Sequence, residues 1–162
     1  MINSKNITSI EKLLNKKIIF SKLLSDSFGI NCIKIKTYDN MNFVVKYYKK
    51  INKEFNAIES ETKNLLYFNR LNVEIFPKII VYNNNYLVMS YLDNDKIQPK
   101  KTNIDLLEAI VSMHSFNAGK YGFDFDTQIG GLKQINSKSK NWKEFYTDKR
   151  LSYIFDLVNK NK

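Results

Sequence analysis

A short run at residues 43–48, FVVKYY, constrains the fold of this chain most strongly, because it places Lys46 among aromatic and β-branched side chains. Such a run is typical of a β-strand, and burying an ammonium group there is costly unless an anion meets it. A helix-patterned segment with three carboxylates follows at residues 52–69. Lys46 therefore either pairs with one of these acids or extends from an edge strand into water.

The helix pattern supplies three candidate partners for Lys46. At 100° per residue, Glu59 and Glu61 fall on opposite edges of the apolar stripe of this helix, and Glu54 falls near the Glu61 side. Either edge could face a neighbouring sheet, so spacing alone does not choose between Glu59 and Glu61. The alternative is that all three are solvated surface carboxylates.

The formal net charge of +10 suggests a nucleic-acid or membrane partner, but the types and distribution of the basic residues argue against both. Only Arg70 and Arg150 are arginine, the side chain best suited to phosphate and base edges, and the lysines are scattered. Such a Lys- and Asn-rich chain is typical of an AT-rich genome. We therefore consider a nucleic-acid partner unlikely, although a basic nucleic-acid binder remains the third interpretation.

Single cysteine and histidine residues, Cys32 and His114, exclude a disulfide framework and any site that needs two histidines. His114 shares a helical stripe with Ile110 and Val111, which favours a core or helix-end role over catalysis. No apolar run approaches the ~20 residues of a membrane span, and the first residues lack a signal-peptide core. These features predict a cytoplasmic protein with no membrane contact.

Periodicity predicts an α+β fold in which an antiparallel sheet carries a packed helix. The predicted helices are 9–16, 52–69, 103–115 and 141–158, and the predicted strands are 32–38, 43–48, 78–82 and 86–92. Irregular structure is predicted between the first helix and residue 32, including 25–31, and over 119–140. The polar stretch 93–101 is the best linker candidate. The predicted domains are a small lobe at 1–92, a linker at 93–101 and a helical lobe at 102–162.

Two further segments could contact a ligand. Ser27, Phe28 and Gly29 precede the first predicted strand, where a turn could cover a phosphate, although an ordinary turn is the simpler interpretation of a single glycine. Met89, Ser90 and Tyr91 end a strand and could offer backbone groups to an adenine ring. A core strand that runs into a loop would have the same pattern.

Together, these segments resemble the fructosamine kinase (ketosamine-3-kinase) family, within the aminoglycoside-phosphotransferase and protein-kinase-like superfamily. The general resemblance is a strand lysine, a helix glutamate, FPK at 76–78 and LVMSY at 87–91. The specific resemblance is a series of motifs in the family's order: YGF at 121–123, IGG at 129–131, QIN at 134–136, WKEFY at 142–146 and KRL at 149–151. The resemblance covers about residues 8–158.

The resemblance implies a protein-kinase-like small lobe followed by an incomplete helical large lobe. It implies that Glu61, rather than Glu59, orients Lys46 toward the phosphates of ATP. By the same resemblance, Met89, Ser90 and Tyr91 would hold the adenine, and the turn at 27–29 would lie near the phosphates. The implied reaction is phosphorylation of a sugar hydroxyl on a ketosamine, either a small molecule or a glycated protein.

The chain departs from the family in two ways. Ser27 and Phe28 replace a pair of glycines, and the family's H-G-D catalytic loop and later metal-binding Asp have no match in these 162 residues. We therefore predict no catalytic base or metal ligand here, and expect Mg²⁺ only with a C-terminal half, which a second chain could supply. This expectation includes an exposed apolar patch on the last helix at Tyr153, Ile154, Leu157 and Val158. The alternative is an inactive remnant that binds a nucleotide or a protein.

Overall fold

The computed structural model describes residues 3–49, 55–71, 75–93, 104–130 and 132–160. The helices are α1 (Ser4–Leu14), α2 (Ala57–Arg70), α3 (Ile104–Ser115), α4 (Trp142–Tyr146) and α5 (Tyr153–Lys160), with a π-helical segment, Thr147–Ser152, between the last two. The strands are β1 (Ile18–Ser27), β2 (Ile30–Thr37), β3 (Asn42–Tyr48), β4 (Ile79–Tyr82), β5 (Tyr86–Ser90), β6 (Thr127–Ile129) and β7 (Leu132–Gln134).

Five strands form one antiparallel sheet in the order β1-β2-β3-β5-β4. The prediction of irregular structure before residue 32 was wrong, because β1 pairs with β2 from Ile18 to Ser27. Two register shifts, after Ile18 and after Leu23, interrupt this pairing and break the period-two pattern that would have marked the strand. Irregular structure over 119–140 was also wrong in part, since β6 and β7 form a small hairpin there.

Helix α1 covers one face of the sheet. The Asn3 side chain accepts a hydrogen bond from the Asn6 amide at the start of the helix, and Asn15 ends it in a left-handed conformation (φ 53°). Ile10 and Leu14 of α1 pack against the side chains of the central strands that point to this face: Ile33, Ile35, Phe43, Val45, Tyr47 and Val88. This cluster is the larger part of the core.

Helix α2 covers the opposite face, to which Lys46 also points. Its first turn is held by Asn56, whose side chain accepts from the Glu59 amide, and by Tyr48, whose hydroxyl oxygen accepts from the Ala57 amide at 2.7 Å. Ile58 and Leu65 of α2 pack on Leu87 and Met89 of β5. The sheet is therefore buried on both faces at its centre.

Residues 122–150 include a buried polar side chain, Asn136, that joins three parts of this segment. Its Nδ2 donates to the Phe125 carbonyl (3.2 Å) and to Thr127 Oγ1 (2.8 Å), and its Oδ1 accepts from Arg150 (2.6 Å). Gly122 lies directly beneath it with a φ of +111°, and a Cβ there would come within 2.5 Å of the Asn136 carbonyl oxygen. The QIN and KRL motifs thus meet in one hydrogen-bonded unit, against which Gly122 of the YGF motif packs.

The last helical stretch differs from its prediction, since 141–158 is divided into α4, the π-helical segment and α5. Of the four residues of the predicted apolar patch, Ile154 and Val158 are exposed, whereas Tyr153 and Leu157 are half-buried. The predicted linker 93–101 lies outside the described residues apart from Asp93. Within the described ranges, no helix is both long and apolar enough to cross a bilayer.

Candidate functional site

Lys46 points from the middle of β3 toward α2 and meets Glu61. Strand register places Lys46 between Cys32 of β2 and Leu87 of β5, and its Nζ lies 2.5 Å from Glu61 Oε1. The two side chains are only 28% and 22% exposed. Glu59 instead pairs with Lys63, one helical turn along, where both side chains are about half exposed. The structure thus selects Glu61 from the two acids that spacing left open; Glu54 lies outside the described residues.

The Lys46–Glu61 pair lines a cavity of about 170 Å³. Its walls come from four places in the chain: the β1–β2 hairpin, the centre of β3, helix α2 and the β6–β7 turn. The lining side chains and glycines are Ser25, Ser27, Phe28, Ile30, Cys32, Lys46, Glu61, Gln128 and Gly130. The arrangement places one ammonium and one carboxylate in a small recess beside the β1–β2 hairpin, among both polar and apolar side chains.

The turn predicted near a phosphate is the tip of the β1–β2 hairpin. Phe28 and Gly29 both have positive φ, 52° and 75°, as a two-residue hairpin turn requires, but this conformation is strained for a phenylalanine. The Phe28 side chain is 73% exposed, and its ring edge lies 3.5 Å from where a Cβ on Gly130 would stand. Ser27 and Phe28 line the cavity, while Gly29 shapes the turn beside it.

Met89, Ser90 and Tyr91 do not line this cavity. Met89 is buried in the core beneath α2, and Ser90 is tied to Lys78 by two hydrogen bonds. Tyr91 lies beyond β5, and its ring carries the Lys34 Nζ 3.7 Å above its centroid. Because Ser90 pairs with Phe43, three residues from Lys46, this strand end lies about 10 Å along the sheet from the ion pair.

Sequence reasoning missed six residues on this side of the sheet: five that line the cavity, Ser25, Ile30, Cys32, Gln128 and Gly130, and Lys34 beside Tyr91. Cys32 could not have been found from the predicted hairpin, whose loop at 39–42 would set Lys46 opposite Ile35, whereas the observed register pairs Lys46 with Cys32. Burial raises the pKa of the Cys32 thiol, while the nearby Lys46 charge lowers it and the Glu61 charge raises it. Gln128 and Gly130 are distant in sequence, and no local pattern connects them to β3.

His114, the lone histidine, does not line this recess. His114 is exposed in the last turn of α3 and borders a cavity of about 830 Å³ together with aromatic side chains such as Phe123 and Trp142. Within the described residues, no three side chains of the metal-binding types His, Cys, Asp and Glu group together.

The model of the family described as fructosamine kinase matches residues 14–162. The chain belongs to the fructosamine kinase family. It is 23% identical to the probable ketoamine kinase of Vibrio parahaemolyticus over 120 residues, 70% of this chain and 42% of that protein. It is 36% identical to the chloroplastic protein-ribulosamine 3-kinase of Arabidopsis thaliana over 78 residues, 46% of this chain and 23% of that protein. The chain thus matches less than half of the length of either relative.

Two crystal structures of candidate fructosamine-3-kinases share the fold. The one from Thermobifida fusca aligns with a TM-score of 0.75 over 99% of this chain and 56% of its own, at 18% identity. The one from Haemophilus somnus aligns with a TM-score of 0.77 over 96% of this chain and 54% of its own, also at 18% identity. The kinase-like α+β fold that the resemblance predicted is therefore confirmed, and this chain covers about half of it.

Proposed function

We propose that this chain is the nucleotide-binding part of a kinase that transfers a phosphoryl group from ATP to a sugar hydroxyl of a ketosamine. The observation that carries the proposal is the half-buried Lys46–Glu61 pair in the recess under the β1–β2 hairpin. In kinases a strand lysine that is held by a helix glutamate binds the nucleotide phosphates. Membership of the fructosamine kinase family supports the ketosamine, small or protein-bound, as acceptor.

The chemistry of the recess suits the phosphate end of a nucleotide. An ammonium has three N–H donors, so Lys46 can bind Glu61 and still donate to phosphate oxygens. The carboxylate fixes the direction of the lysine and offsets the cost of its partial burial. At about 170 Å³ the recess is smaller than the roughly 300 Å³ of the smallest typical ligand pockets, so the base would lie outside it, along the sheet toward Met89, Ser90 and Tyr91.

Phosphoryl transfer also needs a general base and ligands for Mg²⁺. We propose that the general base and the Mg²⁺ ligands come from the other half of the fold, in a continuation of this chain or in a second chain. Exposed apolar residues on α3 and α5, among them Leu107, Val111 and Phe155, offer a surface for it. We also propose a cytoplasmic location, because the lone cysteine, Cys32, is free, as is usual in a reducing compartment.

The proposal is tested by calorimetric titration of the protein with ATP and Mg²⁺. Lys46→Ala should weaken ATP binding about 10- to 100-fold, the value of a hydrogen bond to a charged group. The matched control is Lys63→Ala. It removes a lysine from the exposed Glu59–Lys63 pair on α2, the helix that also carries Glu61, and should leave ATP affinity unchanged. Equal affinity in the wild type and Lys46→Ala would remove Lys46 from the site.

The second candidate is an inactive remnant that binds a nucleotide or a protein without chemistry. The observation in its favour is Phe28, a bulky and strained residue at a position where the family has glycine. An assay for phosphorylation of a glycated lysine distinguishes the kinase from the remnant. In this assay the protein is combined with the C-terminal half of a relative. Turnover that is lost in Lys46→Ala supports the kinase, and ATP binding without turnover supports the remnant.

A further inference from the structure

A second cation stands on the same sheet face as Lys46, at the opposite end of the proposed nucleotide path. Lys34 pairs across the sheet with Val44, which pairs with Met89. This row lies two residues from the row that contains Lys46, so side-chain alternation points Lys34 and Lys46 to the same face. The Lys34 ammonium lies 3.7 Å above the Tyr91 ring, just beyond the end of β5.

The contact is a cation–π pair at close range, in which the ammonium is attracted to the negative face of the ring. Lys34 belongs to none of the ion pairs between described residues, and it lies against the Tyr91 ring, whose hydroxyl donates to Asp93 Oδ1 at 3.4 Å. Lys22 lies directly opposite Lys34 on β1, and Lys36 lies two residues farther along β2 on the same face. This end of the face therefore carries three lysines, with the Asp93 carboxylate at the Tyr91 hydroxyl and Val44 as its apolar surface.

We propose that Lys34 determines how strongly the nucleotide base binds, because the base and the Lys34 ammonium compete for the Tyr91 ring. The inference rests on the proposed function, which places the phosphates at Lys46 and the base toward Tyr91. A base that stacks on Tyr91 and Val44 must displace the ammonium and give up its cation–π contact. The triphosphate, held at Lys46 about 10 Å away, does not meet this competition.

The test compares two ligands that differ by the nucleoside. Affinities for ATP and for inorganic triphosphate, both with Mg²⁺, are measured by calorimetry on the wild type and on Lys34→Val. The variant should raise the ratio of ATP affinity to triphosphate affinity by roughly three- to tenfold, since the base no longer displaces a cation. Lys36→Val removes the same charge from the same face without touching Tyr91, and should leave the ratio unchanged.

A second variant pair tests the mechanism of the effect. Tyr91→Leu removes the ring for which the base and the ammonium compete, so Lys34→Val in the Tyr91→Leu background should not change the ratio. If Lys34→Val still raises the affinity ratio in the Tyr91→Leu background, the base and the ammonium do not compete for the Tyr91 ring. Circular dichroism on each variant checks that the sheet is intact.

The two proposals fail in different ways. An unchanged or lowered ratio in Lys34→Val, with triphosphate binding still lost in Lys46→Ala, overturns the role of Lys34 and leaves the phosphate site in place. No binding of either ligand to the wild type, or triphosphate binding that Lys46→Ala does not weaken, overturns both.

Discussion

The two parts of this molecule are held together by different interactions. In residues 3–93, apolar side chains from two helices and three strands, β2, β3 and β5, are buried in two clusters on either face of the sheet. In residues 104–160, Phe145 is the one apolar side chain in the described part that is fully buried, and the other buried residues are the polar Thr127 and Asn136. Because apolar burial is the main stabilising term in folding, the first part should be stable by itself and the second should depend on its hydrogen bonds and on whatever covers its apolar surface.

The proposed site lies where these two parts meet. Ser60 of α2 donates to the Asp126 carbonyl at 3.3 Å, and the rings of Tyr67 and Phe123 pack edge to face. Phe28 of the first part and Gly130 of the second part also line the same recess. The cation of the site therefore belongs to the rigid sheet, while part of the wall around it belongs to the less well-packed region. This division predicts that disruption of the second part loosens the recess before it moves Lys46.

The largest effect should come from removing core volume in the first part. Leu87→Ala leaves a cavity at a fully buried position between the sheet and α2, and should lower the free energy of unfolding by about 2–5 kcal/mol. The matched change in the second part is Leu107→Ala on α3, where the side chain is 47% exposed, and should cost about 1 kcal/mol or less. Urea unfolding followed by circular dichroism measures both. Equal losses would mean that the α3 surface is as well packed as the core.

A smaller and more local effect should follow from Asn136→Ala. The change leaves Arg150, the Phe125 carbonyl and Thr127 without their shared partner, which should cost about 1–3 kcal/mol. Hydrogen exchange should show lost protection over residues 121–136 and little change in β2, β3 and β5. Ser137→Ala, an exposed neighbour, is the control. Loss of protection across the whole sheet would show that the two parts unfold as one unit.

The sheet and α2 could be predicted from sequence because their side chains follow one period each. Ile33 and Ile35 alternate with polar residues, and Ile58 and Leu65 repeat at helical spacing, so the buried faces are visible locally. Strand β1 was missed because it is an edge strand with bulges, and Phe20 and Leu23 remain exposed on it. Without a buried face, no alternation distinguishes such a strand from a loop.

Residues of the candidate site could be predicted only where the neighbouring sequence made them stand out. Lys46 stood out as a charge in an apolar strand, but the choice of Glu61 over Glu59 needed the family resemblance, because both acids lie on helix edges. Gln128 and Gly130 reach the recess through the contact of the β6–β7 hairpin with α2, a tertiary relation that no spacing encodes. Lys34 was not singled out, since its aromatic partner Tyr91 follows β5 and is distant in sequence.

The smallest expected effect is a change in acid stability at the junction of the two parts. Partial burial tends to raise the pKa of the Asp126 carboxyl, but hydrogen bonds from Lys133 and from the Asn136 amide outweigh it and hold the pKa below 3.8, its ordinary value. A carboxyl with a lowered folded-state pKa stabilises the fold above the unfolded-state pKa, and this contribution is lost as the pH falls through the folded-state pKa. Lys133→Ala should raise the Asp126 pKa in an NMR titration and reduce the loss of stability below about pH 4. A pKa that does not change in Lys133→Ala would show that Lys133 is not what lowers the Asp126 pKa.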